Sequence, residues 1–307
     1  MSHVLVTGGA GFIGSHIVKR FKDGGYEVSV VDDLSSGTKE ALPPDVPLYV
    51  MDILSPELGN LLARIRPDVV IHLAAQTDVP FSVENPLVDA RINIEGTVNV
   101  LDAARKGGVR HFLFASSAAV YGEVDTLPIT ESTPLRPRSP YGMSKMSGEG
   151  YVRLMAESHD MVYTIFRLAN VYGPGQEKAK ESGVTSLFFD RLMKGEPPLV
   201  YGDGCQTRDF VYVRDVAEGF FLAVKFSAQG TFHLSTGKET SINELLELLG
   251  RLFPAAPPAR YVEARAGDIK HSVLSNAKIR ERLGWQPKYT LWEGLQEMLE
   301  IRYNQTR

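Results

Sequence analysis

Tyr141 and Lys145 stand four residues apart in the run Tyr141-Gly142-Met143-Ser144-Lys145. On a helix that spacing puts both on one face, with Cβ atoms about 5–6 Å apart. An ammonium beside a phenol favours the phenolate and lowers its pKa from about 10. Such a tyrosine can take a proton from an alcohol near neutral pH. Far upstream lies a glycine loop, Gly8-Gly9-Ala10-Gly11-Phe12-Ile13-Gly14, readable as G-x-G-x-x-G or G-x-x-G-x-x-G. Its glycines permit a tight turn, close backbone approach to a pyrophosphate and close helix–strand packing. The helix that follows would turn its N-terminus toward the phosphates. A dinucleotide held there is the natural acceptor of the hydride on the alcohol carbon. Each feature alone is weak. Together, in this order, they predict an enzyme that oxidises an alcohol at a nicotinamide.

Two further residues fit that chemistry. Asp32 ends the second apolar run, where an acid would hold the hydroxyls of an adenosine ribose. A carboxylate there disfavours a 2′-phosphate, and no Arg follows within residues 33–38, so NAD is expected rather than NADP. A plain turn acid before Leu34-Ser35-Ser36-Gly37 would give the same letters. Ser117 follows the fifth apolar run, upstream of Tyr141. Its hydroxyl could hydrogen-bond the substrate oxygen and the phenol, positioning the proton path. Taken alone, it reads as a loop serine.

The elements that must position these residues are legible as strands and helices in alternation. Strands are predicted at His3–Thr7, Glu27–Asp32, Leu48–Met51, Asp68–Ala74, His111–Ser116 and Val162–Leu168, with helices near 13–24, 56–66, 86–107 and 141–159. The strands are nearly continuous Val, Ile, Leu and Phe, as expected when both faces are covered. Such alternation predicts a doubly wound parallel α/β sheet of the Rossmann type, with ligands at the carboxyl ends of its strands. After about residue 170 the texture changes, with Gly173-Pro174-Gly175, Pro197-Pro198 and a Pro-rich patch from Phe253 to Pro258. Helical patterns recur near 184–194, 242–252, 276–283 and 292–302. The expected organisation is a dinucleotide-binding domain over 1–170, to which 209–225 returns. Residues 171–208 and 226–307 are expected to form a smaller, discontinuous α/β substrate domain.

Bulk composition permits this reading. The chain has 307 residues, 43% hydrophobic and 23% charged, as for a globular protein with ample core. A net charge of −4 gives no overall bias toward nucleic acid. Cys205 is the single cysteine, so no intrachain disulfide can form, thiolate zinc sites are excluded, and a reducing cytoplasm is expected. Met1 leads straight into an apolar strand, and no apolar run approaches the roughly 20 residues that span a bilayer. No metal, membrane or nucleic-acid partner is expected.

Four segments together carry a specific resemblance: Thr7–Gly14, Ala115–Gly122 (ASSAAVYG), Ser139–Lys145 (SPYGMSK) and Arg167–Gly175 (RLANVYGPG). They resemble the extended short-chain dehydrogenase/reductase superfamily and, within it, the UDP-glucose 4-epimerase family. The likeness runs on through Gly202–Asp215, Ala264–Ile269 and Leu283–Pro287. It implies that Tyr141 is the catalytic base, Lys145 its electrostatic partner and ribose ligand, and Ser117 the hydrogen-bonding hydroxyl. It places Gly8, Gly11, Phe12, Ile13, Gly14, Asp32, Ser36 and Gly37 at NAD, with Asp52 and Ile53 beside adenine. Leu73, Ala74 and Ala75 match the segment under the cofactor, and Asn93 a position near it. Asn170, Arg208, Arg265 and Asp268 match contacts to a UDP-sugar. An arginine fork also suits a diphosphate on chemical grounds. Ser272 matches the position beside the sugar C2 substituent, where its small size would admit N-acetyl sugars. Relatives are commonly homodimers joined through a four-helix bundle, here the helices near 86–107 and 141–159.

Departures narrow the reaction. Sugar-nucleotide 4,6-dehydratases carry an Asp-Glu pair just before Val-Tyr-Gly, and decarboxylases a glutamate; this chain has Ala118 and Ala119. The acid and base for elimination are therefore missing. Thr77 stands where several epimerases have a lysine near the cofactor. The expected activity is C4 epimerisation of a UDP-hexose, UDP-glucose/UDP-galactose and the N-acetyl forms, through a transient 4-keto sugar. A UDP-glucuronate 4-epimerase, a nucleotide-sugar reductase and an NAD-sensing binding protein stay open as alternatives.

Overall fold

Seven parallel strands form the central sheet of the computed structural model, which describes residues 2–176, 183–264 and 269–305. The strands are β1 (His3–Thr7), β2 (Glu27–Asp32), β3 (Leu48–Val50), β4 (Val69–His72), β5 (His111–Ser117), β6 (Val162–Leu168) and an edge strand, Gly230–Leu234. Their order across the sheet is edge strand, β6, β5, β4, β1, β2, β3. The order reverses between β1 and β4, so a crevice opens at the carboxyl ends of those two strands. β1, β2 and β4 to β6 are apolar on both faces because helices cover both.

On one face lie α1 (Phe12–Asp23) and a later helix, Val213–Lys225, whose Val216, Ala217, Phe220 and Ala223 join the α1 core. On the other lie α2 (Leu58–Ile65), α5 (Thr97–Lys106) and α6 (Pro140–Glu157), around Phe112, Phe114, Leu62 and Val152. Two short helices, α3 (Val79–Glu84) and α4 (Pro86–Ala90), precede α5. The helix expected over 86–107 is not uniform: residues Arg91–Gly96 form a wider π-type turn between α4 and α5. Gly96 lies in it, where an added Cβ would come 2.6 Å from Ile53 Cδ1.

A third core joins Phe188 and Phe189 of α7 (Val184–Met193), Phe210, Leu245 and Leu249 of Ile242–Leu252, and Leu295 and Met298 of Leu291–Gln305. Around it run three two-stranded ribbons pairing Asn170–Tyr172 with Phe210–Tyr212, Thr207–Arg208 with Thr240–Ser241, and Leu199–Tyr201 with Arg260–Val262. The domain boundary differs from expectation. Residues 226–307 are expected in the substrate domain, but Gly230–Leu234 pairs in parallel with Thr164–Leu168 and completes the main sheet, and Ile279, Leu283 and Trp285 pack into the main-sheet core. The edge strand's alternate residues Phe232 and Leu234 are buried in the main-sheet core. Among the described residues no helix is long and apolar enough to cross a membrane.

Candidate active site

The glycine loop leaves β1 at the sheet reversal. Gly8 has φ +70°, and a Cβ there would come 2.7 Å from Ala74 N. A Cβ on Gly14 would come 2.1 Å from Gly8 O, so no side chain fits where α1 begins. Gly37 is held as tightly, with its Cβ position 2.6 Å from Ala10 O. Gly11 caps α1 without a side-chain bond, so no side chain covers the first-turn N–H groups. A cleft of about 170 Å³ opens here, lined by Gly11, Phe12, Ser36, Gly37, Pro174 and Gly175 among others. This cradle of bare backbone at a helix N-terminus fits a dinucleotide pyrophosphate.

Asp32 is 7% exposed at the end of β2. Its carboxylate accepts from Ala10 N and Leu34 N, both at 2.9 Å, and so ties the glycine loop to β2. Burial raises its pKa against the lowering effect of those two bonds. Asp52 is exposed, with its carboxylate accepting from Leu54 N at 2.8 Å; Ile53 is buried behind it. Leu73 and Ala74 donate their N–H groups to Thr7 O, both at 3.1 Å, and with Ala75 are half-buried. Asn93 is fully engaged: its Oδ1 accepts from Gln76 N at 2.9 Å, and its Nδ2 reaches Gln76 O at 2.8 Å and Asp89 Oδ1 at 3.0 Å.

β5 and α6 bring the candidate trio to the same end of the sheet. Ser139 caps α6, accepting from Gly142 N at 3.1 Å, and Pro140 fills the first turn. Tyr141 N donates to the buried Ser82 Oγ at 3.2 Å, so α3 fixes the start of α6. Gly142 lies against the turn that follows Ser117: a Cβ there would come 2.5 Å from Ala119 O. Ser117 Oγ accepts from Ala119 N at 3.1 Å, which leaves its O–H to donate. Tyr141 is 9% exposed and Lys145 4%. Lys145 Nζ donates to Ala115 O at 3.0 Å and lies 5.9 Å from the Tyr141 ring centroid. Burial pushes the Lys145 pKa down to about 8, against the charge of Asp89. Its ammonium is thus poised near working pH, beside a phenol at the strand ends.

Of the expected sugar-nucleotide contacts, Asn170 is exposed at the start of its short strand, with its N–H on Asp209 O at 2.9 Å. Arg208 donates Nη1 to Ile269 O at 2.7 Å and is half-buried. Ser272 is half-buried as well. Arg265 and Asp268 lie outside the described residues. Ser82, Gln76, Asp89 and Gly142 also support this arrangement, and of these only Gly142 carries a sequence signal: a glycine inside a helix costs about 1 kcal/mol against alanine, which points to close packing.

A model of the NAD dependent epimerase/dehydratase family matches residues 4–234. A putative UDP-glucose 4-epimerase of Methanocaldococcus jannaschii is 41% identical over 305 residues, covering 99% of both chains. The crystal structure of a UDP-glucose 4-epimerase from Thermotoga maritima with UDP-glucose superposes with a TM-score of 0.94 at 40% identity, over 99% of this chain and 100% of that one. A UDP-N-acetylglucosamine 4-epimerase from Methanobrevibacter ruminantium, in complex with UDP-N-acetylmuramic acid, superposes with a TM-score of 0.93 at 34% identity, over 99% of both chains.

Proposed function

The chain belongs to the NAD dependent epimerase/dehydratase family, and on that premise we propose that it interconverts the C4 epimers of a UDP-hexose through a transient 4-keto sugar. It is an isomerase of the UDP-glucose 4-epimerase type, acting on UDP-glucose and UDP-galactose and on their N-acetyl forms. The observation that carries this reading is the buried Tyr141–Lys145 pair, set at the strand ends beside a glycine cradle.

NAD, when bound, supplies a reversible hydride acceptor at C4. The cradle of Gly8, Gly11, Phe12, Ile13 and Gly14 would hold its pyrophosphate, with Ser36 and Gly37 across the cleft. Asp32 would take the ribose hydroxyls; each of its oxygens keeps a lone pair beyond the bond it accepts. Asp52 and Ile53 would flank adenine, and Leu73 to Ala75 would form the floor.

Tyr141 takes the proton of the sugar 4-hydroxyl and returns it after the keto sugar has presented its other face. Lys145 keeps a positive charge beside the phenol, and Ser117 donates its hydroxyl to the sugar O4. Asn170, Arg208, Arg265 and Asp268 would hold the UDP-sugar, the two arginines at its diphosphate. Binding concentrated there leaves the hexose free to turn. Residues 171–208 with Ile242–Leu252 and Leu291–Gln305 act as the nucleotide-sugar domain, a reading supported by the third core that they form with Phe210 and Tyr212.

The chain acts as a cytoplasmic homodimer in this reading. Leu87 and Val88 of α4 and Met143, Tyr151 and Leu154 of α6 are exposed apolar side chains on the two helical stretches that would form a four-helix bundle.

A panel of UDP-hexoses, their N-acetyl forms and UDP-hexuronates, separated by chromatography after incubation with the protein, tests the assignment. UDP-galactose should yield UDP-glucose without added reductant, and free NADH should not accumulate. Released NADH equal to oxidised sugar would make the protein a dehydrogenase instead. Ser272→Tyr should suppress the N-acetyl reaction selectively. An overfilled pocket costs about 1–3 kcal/mol, or roughly 5- to 150-fold in relative kcat/KM. Equal loss of both reactions would remove Ser272 from the sugar pocket.

A further inference from the structure

Asp89 is 1% exposed on α4, and no chemistry described so far uses it. Its Oδ1 accepts from Gln76 Nε2 at 2.9 Å and from Asn93 Nδ2 at 3.0 Å. Its Oδ2 is buried and has no hydrogen-bond partner among the described residues. A neutral amide could serve Gln76 and Asn93 through one oxygen. A buried carboxylate with an unpartnered oxygen is expensive unless its charge is compensated.

The helix packed against α4 carries a buried cation, Lys145. That side chain is 4% exposed, and its ammonium donates to the neutral carbonyl of Ala115. A buried ammonium with only a neutral partner favours losing its proton. Asp89 also reaches the helix that carries Lys145. Asn93 Nδ2 donates to Ser144 Oγ at 3.2 Å, and Ser144 Oγ donates to Tyr141 O at 2.9 Å. The carboxylate is thus wired to the helical turn between Tyr141 and Lys145. The wider turn at Arg91–Gly96 carries Asn93 into this network.

We propose that Asp89 is a positioning residue for the Tyr141–Lys145 pair: its buried carboxylate is the counter-charge that keeps Lys145 an ammonium, while its Oδ1 locks Asn93 and Gln76 against α6. The role assumes the epimerase reading, in which Lys145 supports the tyrosine base. The other groups around Lys145 do not supply this charge. Tyr141 and Glu149 share its helix, but Glu149 is bound by Arg167 of β6 and Arg153. His72 of β4 has its pKa pushed down to about 3 by burial and by Lys145, so it is neutral. Its ring is held between Thr7 Oγ1 and Thr97 Oγ1. Arg91 and Glu95 pair with each other on the exposed side of the π-type turn. The lowering of Lys145 by burial is opposed by Asp89.

The test is Asp89→Asn, which keeps an Oδ1 acceptor and removes the charge. Lysine labelled with ¹³C at Cε is followed by NMR against pH, with the Lys145 signal assigned by its loss in Lys145→Met. The Lys145 midpoint should fall by about one to three pH units in Asp89→Asn. The alkaline limb of kcat should move the same way, lowering kcat at pH 8 on the order of 5-fold or more, with KM for the UDP-sugar unchanged. An unchanged Lys145 midpoint in folded Asp89→Asn would overturn the proposal, as would a loss confined to KM. Should Asp89→Asn not fold, the parent spectrum decides. A Lys145 that is still an ammonium at pH 7 in the parent supports the proposal, and one that is neutral there overturns it. A parent that keeps the ammonium yet converts no UDP-hexose would sink the epimerase reading and not the charge pairing.

Discussion

Helix α6 carries two buried charges one turn apart, and the fold surrounds them differently. Glu149 has a fully buried side chain and is completely paired: Ser116 Oγ reaches it at 2.7 Å, Arg153 at 2.6 Å, and Arg167 through two nitrogens at 2.8 and 2.7 Å. Burial pushes its carboxyl up, but the bonds and charge of Arg167, helped by Ser116 and Arg153, outweigh this and leave it lowered. Lys145 has a neutral carbonyl as its hydrogen-bond acceptor and a carboxylate acting through charge, and it ends lowered to about 8. The contrast separates two uses of a buried charge. A saturated pair holds β5, β6 and α6 in register. An under-paired one stays sensitive to its surroundings, as the proposed proton-transfer role requires.

Breaking the under-paired side should have the largest effect, and on turnover alone. Tyr141→Phe should lower kcat by about 10²–10⁴-fold, with the urea midpoint and NAD affinity retained. A parallel loss of stability would mean that the tyrosine is a core residue and not a base.

Breaking the saturated side should act on stability. Arg167→Met takes two of the four hydrogen bonds from the buried Glu149 carboxylate, leaving Arg153 and Ser116, and should cost about 3 kcal/mol in urea unfolding, the lower end for a broken buried pair. The loss should depend on pH in a stated direction. Glu149 is lowered in the folded state, so its contribution is fully present above the unfolded value of 4.5 and is lost as pH falls through the folded value. The gap between parent and Arg167→Met should therefore narrow in acid. A pH-independent gap would assign the loss to packing.

The smallest effect sharpens the contrast. Replacing both partners, Glu149→Leu with Arg167→Met, removes the charges together. A buried pair replaced by apolar groups of similar volume is often neutral, so the double variant should be more stable than Arg167→Met. Simple addition of the two single losses would show that Glu149 and Arg167 are not coupled and act through their other contacts.

Much of the sheet is legible in the sequence because β1, β2 and β4 to β6 are apolar runs buried on both faces. The edge strand escapes notice because Gly-Thr-Phe-His-Leu mixes polar and apolar residues, with Gly230 at φ +116°. Its place depends on pairing with Thr164–Leu168, which no local pattern encodes. The ribbons of the third core have two or three residues per strand, too short for any periodicity to register. The wider turn at Arg91–Gly96 is hidden inside a good helical pattern. At the site, Tyr141, Lys145 and the glycine loop are legible from spacing, because helix geometry and backbone crowding fix what spacing means. Asp89 is not. As a sequence letter it is one acid on an exposed-looking helix, and its burial depends on Gln76 and Asn93 meeting around it.

In the proposed reaction, hydride leaves the sugar C4 and returns to the same carbon without leaving the protein. UDP-galactose carrying deuterium at C4 tests it directly, with the UDP-glucose formed analysed by mass spectrometry in the presence of excess unlabelled NADH. Product that retains deuterium at C4 is the expected result. UDP-glucose with hydrogen at C4, or no UDP-glucose at all, would contradict the account.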